Sequence, residues 1–204
     1  MENHKIGEII KFGEYNWRIL DLQNGSALIV TEEIIDQRSY HNVYKDITWA
    51  ECSLRSYLNG EFYDKFSPEE KSRIIPVLNK NPDNQWHGAR GGEDTEDRIF
   101  LLSIEEVCTY FGDSRSKLYN RGKNQRYWLE RKDENNINRI AKLRGANGSW
   151  WWWLRSPGRY NVRAAYIHGD GNIGMQGNNV LKGNASDGRC TGGVRPALWL
   201  KLYS

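Results

Sequence analysis

Four consecutive tryptophans, in the stretch S-W-W-W-W-L-R-S-P-G at residues 149–158, constrain this chain more than any other feature. Side chains on a strand alternate between its two faces, so Trp150 and Trp152 point one way while Trp151 and Trp153 point the other. Four exposed indoles would form a large apolar patch that favours aggregation. We therefore expect a strand that is covered on both faces, with most of the indoles in the core. Function is then expected in the loops that this scaffold presents.

Length and composition predict a single α+β domain, residues 1–204, with an aromatic-rich core. The chain has 9 Trp, 11 Tyr and 5 Phe among its 204 residues, and a chain of this length buries about 70% of its unfolded surface. No disulfide or metal staple is required, and the cysteines do not form a C-x-x-C pair. Three parts are distinguished: a helix-containing half (1–112), a loop-rich basic segment (113–148) and a β-rich half (149–204).

The charge pattern gives only weak support to a nucleic-acid partner. The net charge is +3, which implies no such partner by itself. Residues 115–144 are rich in Lys and Arg with interleaved aromatics, which is typical of a solvated loop or helix face and, as an alternative, of a surface that contacts single-stranded nucleic acid. The N-terminus lacks an apolar signal region, and no apolar run reaches the length of a membrane span. We therefore expect a cytoplasmic or virion-associated protein.

The first half of the chain contains clear signals for strands and helices. Asn24-Gly25 predicts a hairpin between two strands. A capping box at Thr48, a Ser67-Pro68 start and the stretch Ser103-Ile-Glu-Glu106 predict three helices, the last of which ends before Gly112. Predicted strands cover residues 5–12, 15–22, 26–31, 97–102, 150–154, 164–167 and 194–200. Long ordered loops are expected at 79–92 and 113–148, and such loops are commonly functional.

The loops that follow the tryptophans are the candidate binding surface. They mix Gly, Asn, Ser and Asp with larger anchors, as a paratope does, although the same composition is typical of tight turns. For Tyr160, Arg163 and His168 the two interpretations stay balanced. The candidate ligand-binding residues are Arg159, Tyr160, Asn161, Val162, Arg163, Tyr166, His168, Asp170, Asn172, Met175, Gln176, Asn178, Asn179 and Arg189.

Catalytic and metal-binding interpretations find little support in the residues. No P-loop and no Ser-His-Asp set is recognisable, and the four histidines are isolated from one another. Asp170 and Asn172 carry oxygen ligands of the kind calcium takes, but the spacing of a dedicated calcium loop is absent. We predict no cofactor, no metal and no catalytic residue.

Several motifs resemble an uncharacterised bacterial and phage domain family. They are W-W-L-R-S-P-G (152–158), A-A-Y-I followed by G-D-G-N-I, and G-V-R-P-A-L-W-L (193–200). The N-terminal half is similar as well, in I-K-F-G-E-Y-N-W-R-I-L-D-L and L-R-S-Y-L-N-G-E-F-Y. That family is frequent in gut Firmicutes and their phages and has no assigned enzyme activity. The resemblance implies a C-type-lectin-like fold, related to the sulfatase-modifying-factor superfamily, with paired N- and C-terminal strands that place residues 15–22 near 194–200.

The same resemblance implies a function. Proteins of this fold are the usual variable products of diversity-generating retroelements, in which a reverse transcriptase randomises codons at template adenines. The implied protein is a non-catalytic ligand-recognition module with diversified loops at 159–189, and its partner is a protein or glycan on a cell surface. The superfamily also implies an alternative, an oxidoreductase like the formylglycine-generating enzymes, which would require a pair such as Cys108 and Cys190 to meet.

Overall fold

A computed structural model describes residues 4–112, 135–181 and 191–202. In these ranges the regular structure is dominated by two five-stranded sheets, accompanied by two small two-stranded sheets and a few short helices. The predicted mixed α+β class is therefore confirmed. Most of the basic segment 113–148 lies outside the described residues.

The first sheet joins both ends of the chain. It contains, in spatial order, β1 (Ile9–Phe12), β2 (Tyr15–Gln23), β3 (Ser26–Thr31), β14 (Ala197–Lys201) and β5 (Ile74–Ile75). Asn24 and Gly25 both have positive φ, 49° and 75°, as a two-residue hairpin turn requires. The predicted hairpin is confirmed, but the expected neighbour of the C-terminal strand is not. β14 pairs with β3, with Leu198 opposite Ile29, so β3 separates it from residues 15–22.

The second sheet carries the tryptophan strand at its centre. Its order is β12 (Ile173–Asn179), β11 (Arg163–Ile167), β10 (Trp152–Pro157), β13 (Gly192–Val194) and β4 (Asp36–Arg38). β10 and β13 are parallel, whereas the other pairs are antiparallel. The hairpin of β11 and β12 lies at one edge, so the loop between β10 and β11 and the end of β12 meet at one end of the sheet.

Several sequence-predicted strands differ from those observed: the strand at 5–12 begins at Ile9, and the strand at 150–154 is divided between β9 (Ser149–Trp150) and β10. The strand expected at 97–102 is β7 (Thr95–Asp97), which pairs with β6 (Val77–Asn79), and beyond it only an isolated bridge joins Phe100 to Ala197. The strand expected at 194–200 is divided into β13 and β14, because the intervening Pro196 has no N–H to donate to a strand ladder. The other small sheet pairs β8 (Ala141–Lys142) with β9 (Ser149–Trp150).

Two of the three predicted helix starts are correct. α2 (Pro68–Arg73) and α3 (Ile104–Phe111) both begin with a complete capping box, at Ser67 and Ser103. Thr48 makes no side-chain capping bond, so the first prediction is wrong. The chain there forms short 3-10 and π turns around α1 (Ser53–Tyr57). A fourth short helix, α4 (Asn136–Arg139), follows the undescribed segment.

A buried carboxylate explains the broken first helix. Asp97, 1% exposed, accepts hydrogen bonds from Trp49 Nε1 at 3.0 Å, from Arg55 Nε at 2.6 Å and from Asn79 Nδ2 at 2.9 Å. A buried charge must be paired and hydrogen-bonded. These long-range bonds fix the positions of Trp49 and Arg55, and the local backbone bends to satisfy them.

The tryptophans are core residues, as predicted. Trp152 and Trp153 are fully buried, Trp151 is almost so, and Trp150 is partly buried. The ring centroids of Trp151 and Trp153 lie 4.7 Å apart on one side of the strand. The indole N–H groups of Trp150, Trp152 and Trp153 donate to backbone carbonyls of Thr191, Arg139 and Arg38 at 3.2, 3.1 and 2.9 Å, so burial leaves these donors satisfied.

Candidate functional site

The loop between β10 and β11 and the end of β12 form one continuous patch, called the loop surface below: Arg159, Tyr160, Asn161, Arg163 and Gln176. Arg159 N donates to the Gln176 carbonyl at 2.8 Å, and Arg163 Nη1 donates to the Gly177 carbonyl at 3.0 Å. Four of the five side chains are exposed, with Asn161 half-buried. The Arg159 guanidinium lies 5.4 Å from the centroid of the exposed Tyr160 ring. Five of the sequence-predicted residues are thus brought together.

Two neighbouring loops adjoin this patch through Asn161. Its side chain exchanges two hydrogen bonds with the backbone of Arg90, at 2.7 and 3.3 Å, and its carbonyl accepts from Ile47 N at 3.0 Å. Val43 and Tyr44, just before Ile47, are more than half exposed. The sequence indicated loop 79–92 as functional by its length, whereas loop 42–47 was missed because a short polar loop with two apolar residues carries no distinctive pattern.

Asn84 attaches loop 79–92 to the second sheet. The side chain is 3% exposed, and its Nδ2 donates to the carbonyls of Pro157 and Met175 at 2.9 and 3.0 Å. Its Oδ1 accepts from the backbone N–H groups of Trp86 and His87 at 2.9 and 3.0 Å. One buried amide therefore holds this loop beside the ends of β10 and β12, and sequence reasoning did not identify it.

The loop surface and its adjoining loops have a basic character. Arg90, Arg159 and Arg163 are all exposed. Partial burial and the positive charge of Arg159 lower the pKa of His87 below its ordinary value, which indicates that this arginine acts on the adjoining loop. Such a surface attracts acidic groups and offers planar guanidinium donors to them.

Three candidate residues lie at the opposite end of the β11–β12 hairpin. His168 Nδ1 is 3.0 Å from Asp170 Oδ1, and Asn136 Nδ2 of α4 donates to Asn172 Oδ1 at 2.7 Å. At about 3.3 Å per strand residue, the five positions from Arg163 to His168 correspond to roughly 16 Å. The structure therefore separates this turn from the loop surface, although exposed His168 is available for a contact of its own.

The remaining candidates are less accessible. Met175 is 5% exposed, so its inclusion among the ligand-binding residues is wrong: its position on β12 points inward. Tyr166 is half-buried, with its ring 5.4 Å from that of Trp151 and over Gly174, where a Cβ would lie 2.3 Å from it. Val162, Asn178 and Asn179 are half-buried beside the loop surface. Arg189 lies outside the described residues.

The two alternative functions depend on the basic segment 115–144, for nucleic-acid binding, and on the cysteines, for an oxidoreductase. Of the basic segment 115–144, Arg139 is fully buried, and it donates to the carbonyls of Gly112 and Gly171 at 2.9 and 2.8 Å, so it offers nothing to a nucleic acid. Cys52 and Cys108 are buried, and burial raises the pKa of the Cys52 thiol to about 12. A thiol in this state is a poor nucleophile. Cys190 and residues 113–134 lie outside the described residues.

One serine–histidine contact was not expected from the sequence. Ser53 Oγ lies 2.9 Å from His41 Nδ1, and Ser53 N donates to the same nitrogen at 3.2 Å. Within the described part of the chain, His41 Nε2 is buried and has no hydrogen-bond partner. The carboxylate that orients the histidine of a catalytic triad is therefore missing from that nitrogen, and the contact acts as a local cap at the start of α1.

One known domain family matches nearly the whole chain. A domain family of unknown function, DUF6273, matches residues 24–202. The chain belongs to this family. The matched range leaves out β1 and β2 but includes the tryptophan strand, the loop surface and both adjoining loops. No curated protein and no solved structure matches the chain. Among the described residues no helix is long and apolar enough to cross a membrane.

Proposed function

We propose that this protein is a non-catalytic ligand-recognition module of C-type-lectin-like fold, and that its loop surface binds a protein or glycan on a cell surface. One observation carries the proposal. At Arg159, Tyr160, Arg163 and Gln176 the side chains are exposed, while the backbone of the same residues is fixed by hydrogen bonds. Loops on a rigid scaffold are the usual place for binding, and an exposed Tyr beside Arg is typical of contact residues.

We further propose that the exposed positions are diversified by a retroelement. Substitution at these positions would leave the fold intact because the loop is held by backbone bonds, from Gly158 N to the Arg163 carbonyl at 2.8 Å and from Arg163 N to the Tyr160 carbonyl at 2.9 Å. Other positions in the same stretch are constrained. A Cβ on Gly177 would lie 2.8 Å from the Cα of Gly158, and Asn161 holds loop 79–92.

Sequencing the same locus in many isolates or phages of one population tests the diversification. Amino-acid changes are expected at codons 159, 160, 163 and 176, at adenines of a nearby template copy. Codons 161, 175 and 177 in the same stretch serve as the matched control and should stay constant. Even variation over both sets, or constancy of both, would refute diversification while leaving recognition of a fixed ligand open.

A pair of libraries tests whether the exposed positions of the loop surface tolerate substitution, which a diversified binding surface requires. One library randomises residues 159, 160, 163 and 176, and the control library randomises 161, 164, 175 and 177. Most members of the first library should resist protease like the original chain, whereas most of the second should be cleaved. If both libraries lose folding equally, these loops are structural rather than a tolerant binding surface.

The ligand class is tested by direct binding. The original chain and a variant with Tyr160→Ala, Arg159→Ala and Arg163→Ala are applied to a glycan array and to intact bacterial cells. Binding to a defined glycan or a protease-sensitive cell receptor is expected for the original chain, and its loss for the variant at unchanged melting temperature. Equal binding by both proteins would place the ligand contact elsewhere.

A further inference from the structure

A cavity lies away from the loop surface, between the first sheet and helices α3 and α4. Its volume is about 350 Å³, and its wall includes Ile6, Ile137 and Ile140, together with Tyr110 and Phe111. The three isoleucines are exposed, Ile137 to 79%. Charged side chains line the cavity as well, so its wall is mixed in polarity. Its volume lies in the range of about 300 to 1,000 Å³ that is usual for sites of small organic ligands.

A buried arginine with an unused donor lies in the wall of this cavity. Arg195 is 2% exposed, and its Nε donates to the Thr31 carbonyl at 2.8 Å. Its Nη2 donates to the Glu32 carbonyl at 3.4 Å, whereas Nη1 is buried and has no hydrogen-bond partner in the described part of the chain. An unsatisfied donor on a buried charged group is costly, and such groups call for a specific explanation.

The charge balance of the cavity favours an anion. Burial lowers the pKa of Arg195 to about 10, so the guanidinium stays charged at neutral pH. Glu32 does not neutralise it through a direct ion pair, because Arg18 engages both Glu32 oxygens, at 2.8 and 2.5 Å. The two arginines and one glutamate leave one positive charge in excess. The rings of Phe111 and Trp152 lie 5.2 and 5.0 Å from the Arg195 guanidinium carbon, which stabilises the cation but offers no acceptor to Nη1.

We propose that this cavity binds a small monocarboxylate with a branched or aromatic apolar body. Its carboxylate accepts from Arg195 Nη1, which supplies the missing partner and balances the one excess charge. Its body packs against Ile6, Ile137 and Ile140, which covers apolar surface that is otherwise exposed. Burial raises the pKa of Tyr110 to about 12, so its hydroxyl stays a neutral donor on the same wall. A single free nitrogen and a single excess charge fit a carboxylate better than a doubly charged phosphate.

The test uses the full chain and two matched probes, phenylacetate and its neutral isostere phenylacetamide. Calorimetry should give a dissociation constant below about 1 mM for phenylacetate and binding at least about tenfold weaker for the amide, since a charge-assisted bond is lost. NMR should show shifts in the Arg195 side-chain Nε–H and in the isoleucine methyl groups. Equal affinity for the two probes, no binding, or shifts confined to the loop surface would overturn the proposal.

A pair of variants at the cavity mouth avoids altering the buried arginine. Ile137→Glu adds a negative charge at the mouth of a cavity that is proposed to bind an anion, and Ile137→Gln has nearly the same shape without the charge. Because Ile137 is exposed, both variants should keep the original melting temperature. Phenylacetate should bind about tenfold more weakly to Ile137→Glu than to Ile137→Gln, and equal affinity for the two variants would place the carboxylate outside this cavity.

Discussion

Residues 150–157 and residues 159–163 follow each other directly in the chain, yet they are held in opposite ways. In the first stretch side-chain bonds attach the strand to the rest of the fold: three indole N–H groups donate to distant carbonyls, and Arg155 forms a buried ion pair with Glu106. In the second stretch backbone bonds close the loop, the side chains of Asn161 and Arg163 add bonds to neighbouring backbone, and the side chains of Arg159, Tyr160 and Arg163 remain exposed. The comparison shows how a chain can fix a loop in place without specifying what the loop presents.

The largest expected effect comes from removing one buried side chain of the first stretch, and an exposed side chain of the second stretch is its control. Trp153→Ala deletes a fully buried indole and leaves a cavity, so we expect the free energy of unfolding to fall by about 3–5 kcal/mol. Tyr160→Ala removes an exposed ring of similar chemistry, and the expected change is within about 0.5 kcal/mol. Urea denaturation of the two variants measures both, and similar losses would contradict the division between scaffold and surface.

Glu106 contributes to stability in two ways, through its ion pair with Arg155 and through the capping box of α3, and substitution can separate them. Glu106→Gln removes the charge that pairs with Arg155, whose side chain is 4% exposed, and leaves a buried cation, so a loss of about 3 kcal/mol is expected. Glu70 closes the same type of capping box at the start of α2, and no arginine of the described ranges forms an ion pair with it.

Glu70→Gln is therefore the matched control and should cost well under about 1 kcal/mol. If the two substitutions lower the urea midpoint equally, the cap and not the ion pair accounts for the effect at Glu106.

Asn84 tests how the surface is positioned. Asn84→Ala leaves the two carbonyls and two N–H groups that it satisfies without their partner, and we expect about 2 kcal/mol of lost stability with faster hydrogen exchange across residues 79–92. Gln85→Ala, at an exposed neighbour in the same loop, should change neither quantity. Normal exchange in Asn84→Ala would mean that other contacts hold the loop.

The smallest expected effect concerns the electrostatics of the loop surface. Arg159→Gln should raise the pKa of His87 toward its ordinary value, because the charge of Arg159 contributes to lowering it. His41 is the internal control: its pKa is lowered by burial and by Lys45, and it should not move. An NMR titration of the two rings measures both values.

The direction of the pH effect on stability follows from the same shift. Since folding lowers the pKa of His87, the unfolded chain binds more protons below about pH 6.5. The contribution of His87 to stability is therefore complete above that pH and is lost as the pH falls further. Arg159→Gln should make this loss smaller, and an unchanged pH dependence would show that Arg159 does not act on His87.

The sequence predicted those features whose determinants are local. The Asn24-Gly25 turn, the starts at Ser67 and Ser103 and the burial of the tryptophans depend on backbone preference and on side-chain polarity, both of which a short stretch contains. The capping box predicted at Thr48 does not form and the helical turns after it are irregular, since Trp49 and Arg55 are bonded to Asp97, more than forty residues away. Tertiary hydrogen bonds of this kind override local helix propensity.

The candidate surface was only partly predictable, because its position depends on local composition but also on contacts between distant residues. Gly, Asn and aromatic composition located the loop at 159–163, but sequence alone could not separate exposed Gln176 from buried Met175, since the bulged register of β11 and β12 decides which face each one occupies. Likewise, loop 42–47 is held beside the surface by the bond from Ile47 N to the Asn161 carbonyl, which no local pattern predicts. The unused Nη1 of Arg195 becomes evident only when the surrounding donors and acceptors are known.

The position of β14 also affects how the chain is made. β14 lies between β3 and β5, and its partner Ile29 is about 170 positions away from Leu198. At about 5–20 residues per second, translation leaves β3 without that neighbour for on the order of ten seconds or more. During this time an apolar strand edge with free N–H and C=O groups is open to other chains. Expression yield of this fold should therefore depend on translation speed and on chaperone capacity at the ribosome.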